Sequence, residues 1–252
     1  WVHMREPEKA TQKAKDLIRM GVAKSRLLEP LEEIEIEVTP SCLVMGGGVV
    51  GMSAALNLAE QSFEVHLVEK EKELGGTLRD VYKVFTTNEE ASKLLGPLVQ
   101  KVKEHPKIKT YLSTKVKDVS GFIGSFDATL DQNGKEEKIK VGTIIVAIGA
   151  EELKPLGQYG YGKFPNVITQ LELEQRMKKG ELICSEAAKK GEILNDSTEF
   201  APKVQTNVVM INCVGARVPE RTYCSRFCCM TAVKNATLIK EANPASKVFI
   251  LH

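Results

Sequence analysis

The chain has 252 residues, of which 42% are hydrophobic and 27% are charged, an ordinary composition for a globular protein. Its formal net charge of +2 is too small to indicate nucleic acid or an anionic membrane as a partner. No apolar run approaches the length of a membrane span, and residues 1–15 are too polar for a signal peptide. We therefore expect a cytoplasmic protein, in which clustered cysteines indicate metal or redox chemistry rather than structural disulfides.

The first third of the chain predicts a helical segment followed by a strand–helix–strand unit. Residues 6–28 have the spacing of a helix, and residues 33–38 alternate as a half-exposed strand or an extended crossing. The unit itself is predicted from a short strand at 43–45, a helix of small residues at 49–61 and a strand at 64–69.

The middle of the chain predicts a helix at 89–104, bent or split by Gly96-Pro97, and then several short strands. The strands are expected at 108–113, 116–121, 125–132 and 137–148, with Asn133-Gly134 as a hairpin turn. A helix at 167–179 and a polar linker at 180–204 follow. Residues 207–252 then repeat a strand, a junction, a helix and a strand.

Residues 46–51 read Gly-Gly-Gly-Val-Val-Gly and fit the pattern G-x-G-x-x-G between a predicted strand and a predicted helix. Glycines at 46, 48 and 51 allow the backbone to turn tightly and to approach a pyrophosphate at the helix amino terminus. Glu69 ends the next strand and can accept hydrogen bonds from a ribose diol. The alternative is a tight strand-to-helix turn that binds no ligand.

The residues after Glu69 help to distinguish FAD from NAD. Lys70 follows it directly, and the glycine pair Gly75-Gly76 comes a few residues later. A second glycine pair so close to the acidic residue indicates another close approach of the backbone to the ligand. We therefore count Lys70, Gly75 and Gly76 among the candidate cofactor-binding residues.

The strands from 108 to 146 lead into Ala147-Ile148-Gly149, and this order resembles the FAD domain of the glutathione reductase and thioredoxin reductase flavoproteins. The resemblance favours FAD as the cofactor. It also implies that Val116 lies beside the adenine, and that Ala147 and Gly149 take the place of that family's Ala-Thr-Gly strand end.

These elements predict an α/β fold, with a Rossmann-like FAD-binding domain that carries a small antiparallel β insertion, plus the start of a second Rossmann-like unit. The predicted parts are an amino-terminal helical segment with an extended crossing (1–40), the FAD-binding domain (41–165), a helix and linker (166–205) and the partial second unit (206–252). The chain begins Trp-Val-His-Met and ends in a strand-like stretch, so we expect a fragment of a longer protein.

Four of the six cysteines lie between the strand and the helix of the second unit, a set that we call the four junction cysteines. They are Cys213, Cys224, Cys228 and Cys229. Soft thiolates within reach of one point suit an iron–sulfur cluster or zinc. The spacing matches neither zinc ribbons nor bacterial ferredoxins. We favour a 4Fe–4S cluster, and zinc, redox-active thiols and incidental cysteines remain as alternatives.

The charges and residues around this motif refine the prediction. Arg217, Arg221 and Arg226 lie among the thiols and would offset the negative charge of a cluster. No phosphate-binding glycine loop occurs here, so the second unit is not expected to bind NAD(P)H. Cys42 has the surroundings of a small core residue, and Cys184 lies in the linker without a partner at useful spacing.

The combination resembles the flavin- and iron–sulfur-containing subunit of heterodisulfide reductase, and the resemblance extends over nearly the whole chain. It includes Arg-Glu-Pro-Glu-Lys-Ala-Thr at 5–11, the glycine motif, Val-Glu-Lys-Glu-Lys-Glu-Leu-Gly-Gly at 68–76 and, most specifically, residues 213–229. It implies a cytoplasmic, electron-bifurcating flavoprotein of the kind found in methanogenesis, with FAD and a 4Fe–4S cluster. It also implies the other heterodisulfide reductase subunits, hydrogenase or formate dehydrogenase, and ferredoxin as partners.

Two other functions remain open at this point. One is an NAD(P)H-dependent flavoprotein disulfide reductase, which the missing C-x-x-C pair and the missing second glycine loop argue against. The other is a scaffold without redox activity. The four histidines are scattered and show no ligand spacing, and His66 is expected to be a half-buried strand residue. No catalytic side chain is predicted, because the chemistry would belong to the cofactors.

Overall fold

The computed structural model describes residues 2–30, 35–181 and 207–252. Contacts divide the chain into two units, Trp1–Glu37 and Val38–His252. The first unit contains the short helix α1, Val2–Arg5, and the helix α2, Pro7–Ser25. Within the predicted strand at 33–38, the described residues 35–38 form no strand, because no neighbouring strand in the described part of the chain pairs with them; the extended crossing stays a prediction.

The second unit is built on a parallel four-stranded sheet with the strand order β3-β2-β1-β7. The strands are β1 (Ser41–Met45), β2 (Glu64–Val68), β3 (Ile108–Tyr111) and β7 (Thr143–Val146). Side chains alternate across the sheet, so that Cys42 and Val44 lie in one hydrophobic cluster and Leu43 lies in another. Helices α3 (Val49–Glu60) and α4 (Ala91–Glu104) cover the Cys42 side.

The antiparallel insertion covers the other face of this sheet. It consists of β4 (Lys115–Phe122), β5 (Ser125–Gln132) and β6 (Lys135–Val141). Asn133 and Gly134 have φ angles of 53° and 88°, which is the backbone of the predicted hairpin turn. Leu130 and Val141 from the insertion pack in one cluster with Leu43.

Two details differ from the predicted elements. The single strand expected at 137–148 is two strands in different sheets, because the chain crosses from the insertion to the parallel sheet at Gly142. A Cβ at Gly142 would lie 2.1 Å from the carbonyl oxygen of Thr39, so only glycine fits at this crossing. The helix expected to bend or split at Gly96-Pro97 does not split, since it is a single helix, α4, with Pro97 inside it.

The remaining elements are two paired strands and two helices, and the cysteine motif connects one of these strands to one of these helices. Strands β8 (Asn207–Ile211) and β9 (Lys247–Leu251) pair in parallel, and the helices are α5 (Gln170–Lys178) and α6 (Cys228–Ala242). Leu173, Met210, Ala232 and Ile239 join these elements in a third hydrophobic cluster. Cys184 and residues 182–204 of the predicted linker lie outside the described residues. No helix in the described part of the chain is long and apolar enough to cross a membrane.

Helix α5 begins with a reciprocal cap. The Thr169 hydroxyl accepts a hydrogen bond from the Glu172 N–H at 3.2 Å, and the Glu172 carboxylate accepts one from the Thr169 N–H at 2.9 Å. Tyr161 and Lys154 also donate to Glu172, at 2.7 and 3.0 Å. Burial alone would raise the pKa of Glu172, but these donors outweigh it and lower the pKa to about 2.

Candidate cofactor sites

The first glycine loop connects β1 to α3 at the carboxyl end of the parallel sheet. Gly48 is the residue before α3 and caps it without a side-chain hydrogen bond. The first N–H groups of a helix have no partners within the helix, so they are available to an anion. The loop therefore has the geometry of a phosphate-binding turn.

The three motif glycines have different structural roles. Gly46 has a φ of 106°, and a Cβ there would lie 2.3 Å from the carbonyl oxygen of Ala147. A Cβ at Gly51 would lie 1.8 Å from the carbonyl oxygen of Gly46. At Gly48, a Cβ would meet nothing within 4 Å. Gly46 and Gly51 thus permit the tight packing of the turn, whereas Gly48 faces open space that a ligand can approach.

The second glycine pair lies directly against the first loop. The Gly75 N–H donates to the carbonyl oxygen of Gly47 at 2.8 Å, and Gly48 and Gly75 form an isolated parallel bridge. A Cβ at Gly76 would lie 3.2 Å from the Cα of Gly48. The structure therefore brings together two glycine segments that are far apart in the sequence.

Glu69 lies at the end of β2, and its side chain is buried between these segments, with a relative exposure of 6%. One carboxylate oxygen accepts the Gly47 N–H at 2.6 Å, and the other accepts the Glu71 N–H at 2.8 Å. Each oxygen retains a further lone pair for a ribose hydroxyl. Glu69 consequently holds the glycine loop in place as well as offering acceptors to a ligand. Sequence reasoning missed the partner residue, Gly47, although a third consecutive glycine was visible in the motif.

The other predicted cofactor residues lie around the same end of the sheet. Lys70 is half exposed and pairs with Glu151 at 3.5 Å. The Thr114 N–H donates to the Glu69 carbonyl oxygen at 2.9 Å, which places Val116 two residues beyond that contact. Ala147 touches the first loop through its carbonyl oxygen. Gly149 has a φ of 69° and open space around it.

The four junction cysteines lie between β8 and α6. Cys213 follows the strand, Cys224 lies in the loop, and Cys228 and Cys229 open the helix. All four are free thiols. Cys213 has a positive φ of 60°, a backbone conformation that residues other than glycine rarely adopt. Arg217 and Arg226 in the same loop also have positive φ angles. Such positions persist where the surroundings determine them, and they concentrate at functional sites.

Electrostatic contacts connect the thiols to one another. The neighbouring Cys228 is the largest cause of a raised pKa at Cys229, followed by burial, with smaller effects of Cys213 and Cys224. In the described part of the chain, no group of three or more Cys, His, Asp or Glu side chains could hold a single metal ion. Free thiols are soft donors that both iron–sulfur clusters and zinc bind, and the four junction cysteines supply four of them.

Three donors point to the sulfur atoms. The Arg217 guanidinium lies 3.7 Å from the Cys213 sulfur, and the Asn212 amide lies 3.9 Å from the Cys229 sulfur. The Arg226 backbone N–H lies 3.3 Å from the Cys224 sulfur, so this residue contacts the thiol through its main chain; the effect of its charge stays a prediction. Asn212 was missed in the sequence, where only its position next to Cys213 could have indicated it.

Two residues outside these sites have the structural roles expected of them. Cys42 is 1% exposed, and burial raises the pKa of its thiol to about 11, which leaves it a protonated core residue. His66 is half-buried, with its Nδ1 atom 3.1 Å from the Tyr111 hydroxyl oxygen, and burial lowers its pKa.

Comparison with known proteins connects this geometry to a family. An iron–sulfur subunit of the CoB–CoM heterodisulfide reductase of Methanopyrus kandleri is 35% identical over 334 aligned positions, which cover 99% of this chain and 49% of the relative. The corresponding subunit of the H2/formate:CoB–CoM heterodisulfide,ferredoxin reductase of Methanococcus maripaludis is 30% identical over 100% of this chain and 49% of its own. L-proline dehydrogenase from P. horikoshii has a TM-score of 0.49 and 19% identity, covering 88% of this chain and 37% of that one.

The chain thus spans about half the length of the curated relatives that it matches. Because the alignment with the M. kandleri protein has 334 positions and the chain has 252 residues, the relative carries at least 82 positions within the aligned span that this chain lacks. The relatives confirm the resemblance to the iron–sulfur flavoprotein subunit of heterodisulfide reductase.

The family match identifies the fold. Residues 40–184, more than half of the chain, match the family described as pyridine nucleotide-disulphide oxidoreductase. This match confirms the predicted Rossmann-type fold and supports FAD as the dinucleotide of the glycine segments. The chain belongs to the pyridine nucleotide-disulphide oxidoreductase family.

Proposed function

We propose that this chain is the flavin- and cluster-binding part of a heterodisulfide reductase-like complex, and that it transfers electrons between FAD and a 4Fe–4S cluster. The observation that carries the proposal is the contact between the two glycine segments and Glu69. Three separate parts of the sequence meet at the carboxyl end of a parallel sheet, which is where folds of this class bind dinucleotides.

In this proposal the chain's own residues bind and orient the flavin nucleotide. Gly46, Gly48 and Gly51 would allow its pyrophosphate to approach the amino terminus of α3. Glu69, whose oxygens accept the Gly47 and Glu71 N–H groups, would also accept hydrogen bonds from the adenosine ribose. The bound flavin would supply the electron chemistry, since it can exchange electrons one or two at a time. Lys70, Gly75, Gly76, Val116, Ala147 and Gly149 complete the predicted binding set.

The four junction cysteines are the proposed ligands of the cluster. Their thiols are free and lie close enough to shift the pKa of Cys229. Arg217 brings a positive charge to Cys213, which would stabilise the negative charge of a thiolate-bound cluster. Asn212 and the Arg226 N–H add weaker donors to the sulfurs, and such contacts tune the potential of a cluster.

The β8–α6 segment differs from the β1–α3 segment at the position where a nicotinamide dinucleotide would bind. Residues 212–227 separate β8 from α6, whereas only Gly46–Gly48 separate β1 from α3. A long cysteine-bearing loop does not hold a pyrophosphate close to the helix start. We therefore favour electron transfer over an NAD(P)H-dependent disulfide reductase.

The partners proposed for the intact protein are the other subunits of a heterodisulfide reductase-like complex, hydrogenase or formate dehydrogenase, and ferredoxin. The support for them lies in the names of the relatives, one of which includes hydrogen, formate and ferredoxin. Electron bifurcation at the flavin, methanogenic metabolism and a cytoplasmic location belong to the same proposal.

The test is to purify the chain without oxygen and to record its absorbance, flavin content and iron content. The proposal predicts flavin and iron–sulfur absorbance bands in one sample. A scaffold would show neither, and an NAD(P)H-dependent disulfide reductase would bind flavin and be reduced by nicotinamide nucleotide without containing iron.

A further inference from the structure

A buried ion pair connects α6, the helix that begins with Cys228, to α5. The Lys234 ammonium lies 2.5 Å from a carboxylate oxygen of Glu174, and the two side chains are only 8% and 2% exposed. Charges are costly to bury, and well-packed apolar residues in their place are often as stable or more stable. The presence of this pair therefore calls for an explanation other than stability.

Both members of the pair also bind the backbone of one loop. We call residues 80–90 the flavin-side loop, because they follow the 3-10 helix Gly76–Arg79, which begins in the second glycine pair. The Lys234 ammonium donates to the Lys83 carbonyl oxygen at 2.7 Å, and the Tyr82 N–H donates to the second carboxylate oxygen of Glu174 at 3.0 Å. The pair thus holds two consecutive residues of the flavin-side loop through main-chain atoms.

Two further contacts from α5 reach the same stretch of chain. The Gln175 amide donates to the Asp80 carboxylate at 3.0 Å, and the Lys178 ammonium donates to the Arg79 carbonyl oxygen at 2.5 Å. These two contacts are more exposed than the Lys234–Glu174 pair, and they come from α5 alone. Lys234, in contrast, connects α6 itself to the flavin-side loop.

We propose that Lys234 and Glu174 are a positioning pair that fixes the separation between the flavin site and the cysteine junction. The inference rests on the proposed function, since it assigns a distance between two cofactors. Lys234 lies six residues after Cys228 in the same helix, about 9 Å along its axis, so a helix clamped at Lys234 also fixes the position of its first turn. Electron tunnelling slows steeply as the separation of donor and acceptor grows.

In the proposed function a bound flavin would give one electron to a bound cluster, and no bond would be made or broken. The role of Lys234 and Glu174 is to keep the two sites at one distance, and they exchange no proton or electron themselves.

The test uses the full chain and two double variants. Lys234→Met with Glu174→Leu replaces the pair by apolar side chains of similar size, which preserves packing and guards against simple unfolding. Lys234→Glu with Glu174→Lys retains the attraction between the two charges but places a carboxylate against the Lys83 carbonyl and an ammonium against the Tyr82 N–H. The control is Lys109→Met with Glu137→Gln, which removes an exposed ion pair in the sheet and insertion.

The first measurement needs no cofactor. Hydrogen exchange of the backbone amides should become faster in the flavin-side loop and in the first turns of α6 together, in both double variants and not in the control. The second measurement follows electron arrival at the cluster after photoreduction of the flavin, at matched flavin and iron content. We expect this rate to be lower than in the unchanged chain in both double variants and unchanged in the control.

The outcomes separate the inference from the proposed function. If the unchanged chain binds neither flavin nor cluster, the proposed function fails and the inference fails with it. If the unchanged chain binds both and the apolar variant transfers electrons at the normal rate, only the inference fails. If the charge-swapped variant transfers normally, the backbone anchoring is not the cause and the inference is likewise overturned.

Discussion

The most informative single substitution is Glu69→Ala, which removes the carboxylate between the two glycine segments. In the folded chain this carboxylate accepts two backbone N–H groups, at 2.6 and 2.8 Å. Leaving a buried donor without its partner costs about 1–3 kcal/mol, so the variant should unfold at a lower denaturant concentration. A lost hydrogen bond between a charged group and the ribose costs about 1.5–3 kcal/mol, which corresponds to a roughly tenfold to hundredfold weaker affinity for FAD.

The assay is a titration of the flavin-free chain with FAD, read by flavin fluorescence, next to a urea unfolding curve. Glu69→Gln keeps an oxygen for the Gly47 N–H but turns an amide donor towards the Glu71 N–H, so we expect an intermediate affinity. Glu71→Ala is the matched control, because it removes a neighbouring exposed carboxylate and leaves the Glu71 N–H in place. Wild-type FAD affinity in a folded Glu69→Ala protein would refute the assignment of the ribose to this residue.

Three further predictions concern the first glycine loop, the four junction cysteines and Glu172. Gly51→Ala should prevent stable folding of the loop, because its Cβ would meet the Gly46 carbonyl oxygen, whereas Gly48→Ala should fold and bind FAD more weakly; urea curves and FAD titrations distinguish the two. Serine at any of the four junction cysteines should lower the iron content after anaerobic reconstitution, and Cys42→Ser should not; equal iron in every variant would contradict the ligand set. Because folding lowers the pKa of Glu172 to about 2, its hydrogen bonds and its ion pair with Lys154 stabilise the fold above the unfolded pKa near 4.5 and lose this effect as the pH falls towards 2. Glu172→Gln should therefore flatten the acid-unfolding curve between these values.

The glycine motif and its acidic partner could be predicted because they are local patterns with a defined geometry. A strand, a G-x-G-x-x-G turn and a helix specify where Gly46 and Gly51 must pack, and Glu69 follows from the length of the next strand. The contact of Gly75 with Gly47 could be anticipated only as a second close approach. That Gly47 would be its partner could not be predicted, because the contact joins segments that are distant in the sequence and hydrophobic periodicity carries no information on such pairing.

Other features could not be predicted from the sequence, and the structure gives the reason for each. Residues 137–148 look like one strand because their β-forming side chains are continuous, and only the close approach of Gly142 to Thr39 separates β6 from β7. Lys234 and Glu174 look like ordinary charged residues on helix surfaces. Their burial arises because α5, α6 and the flavin-side loop meet there, and no local pattern records such a meeting.

The proposed function requires that one chain hold both a flavin and an iron–sulfur cluster. This requirement is tested by the content of FAD, iron and acid-labile sulfide per chain in a single sample, reconstituted anaerobically and freed of unbound cofactors. We predict one FAD and one 4Fe–4S cluster per chain, with the iron lost and the flavin retained when Cys228 and Cys229 are both replaced by serine. Flavin without stoichiometric iron, or iron that survives this replacement, would contradict the proposal.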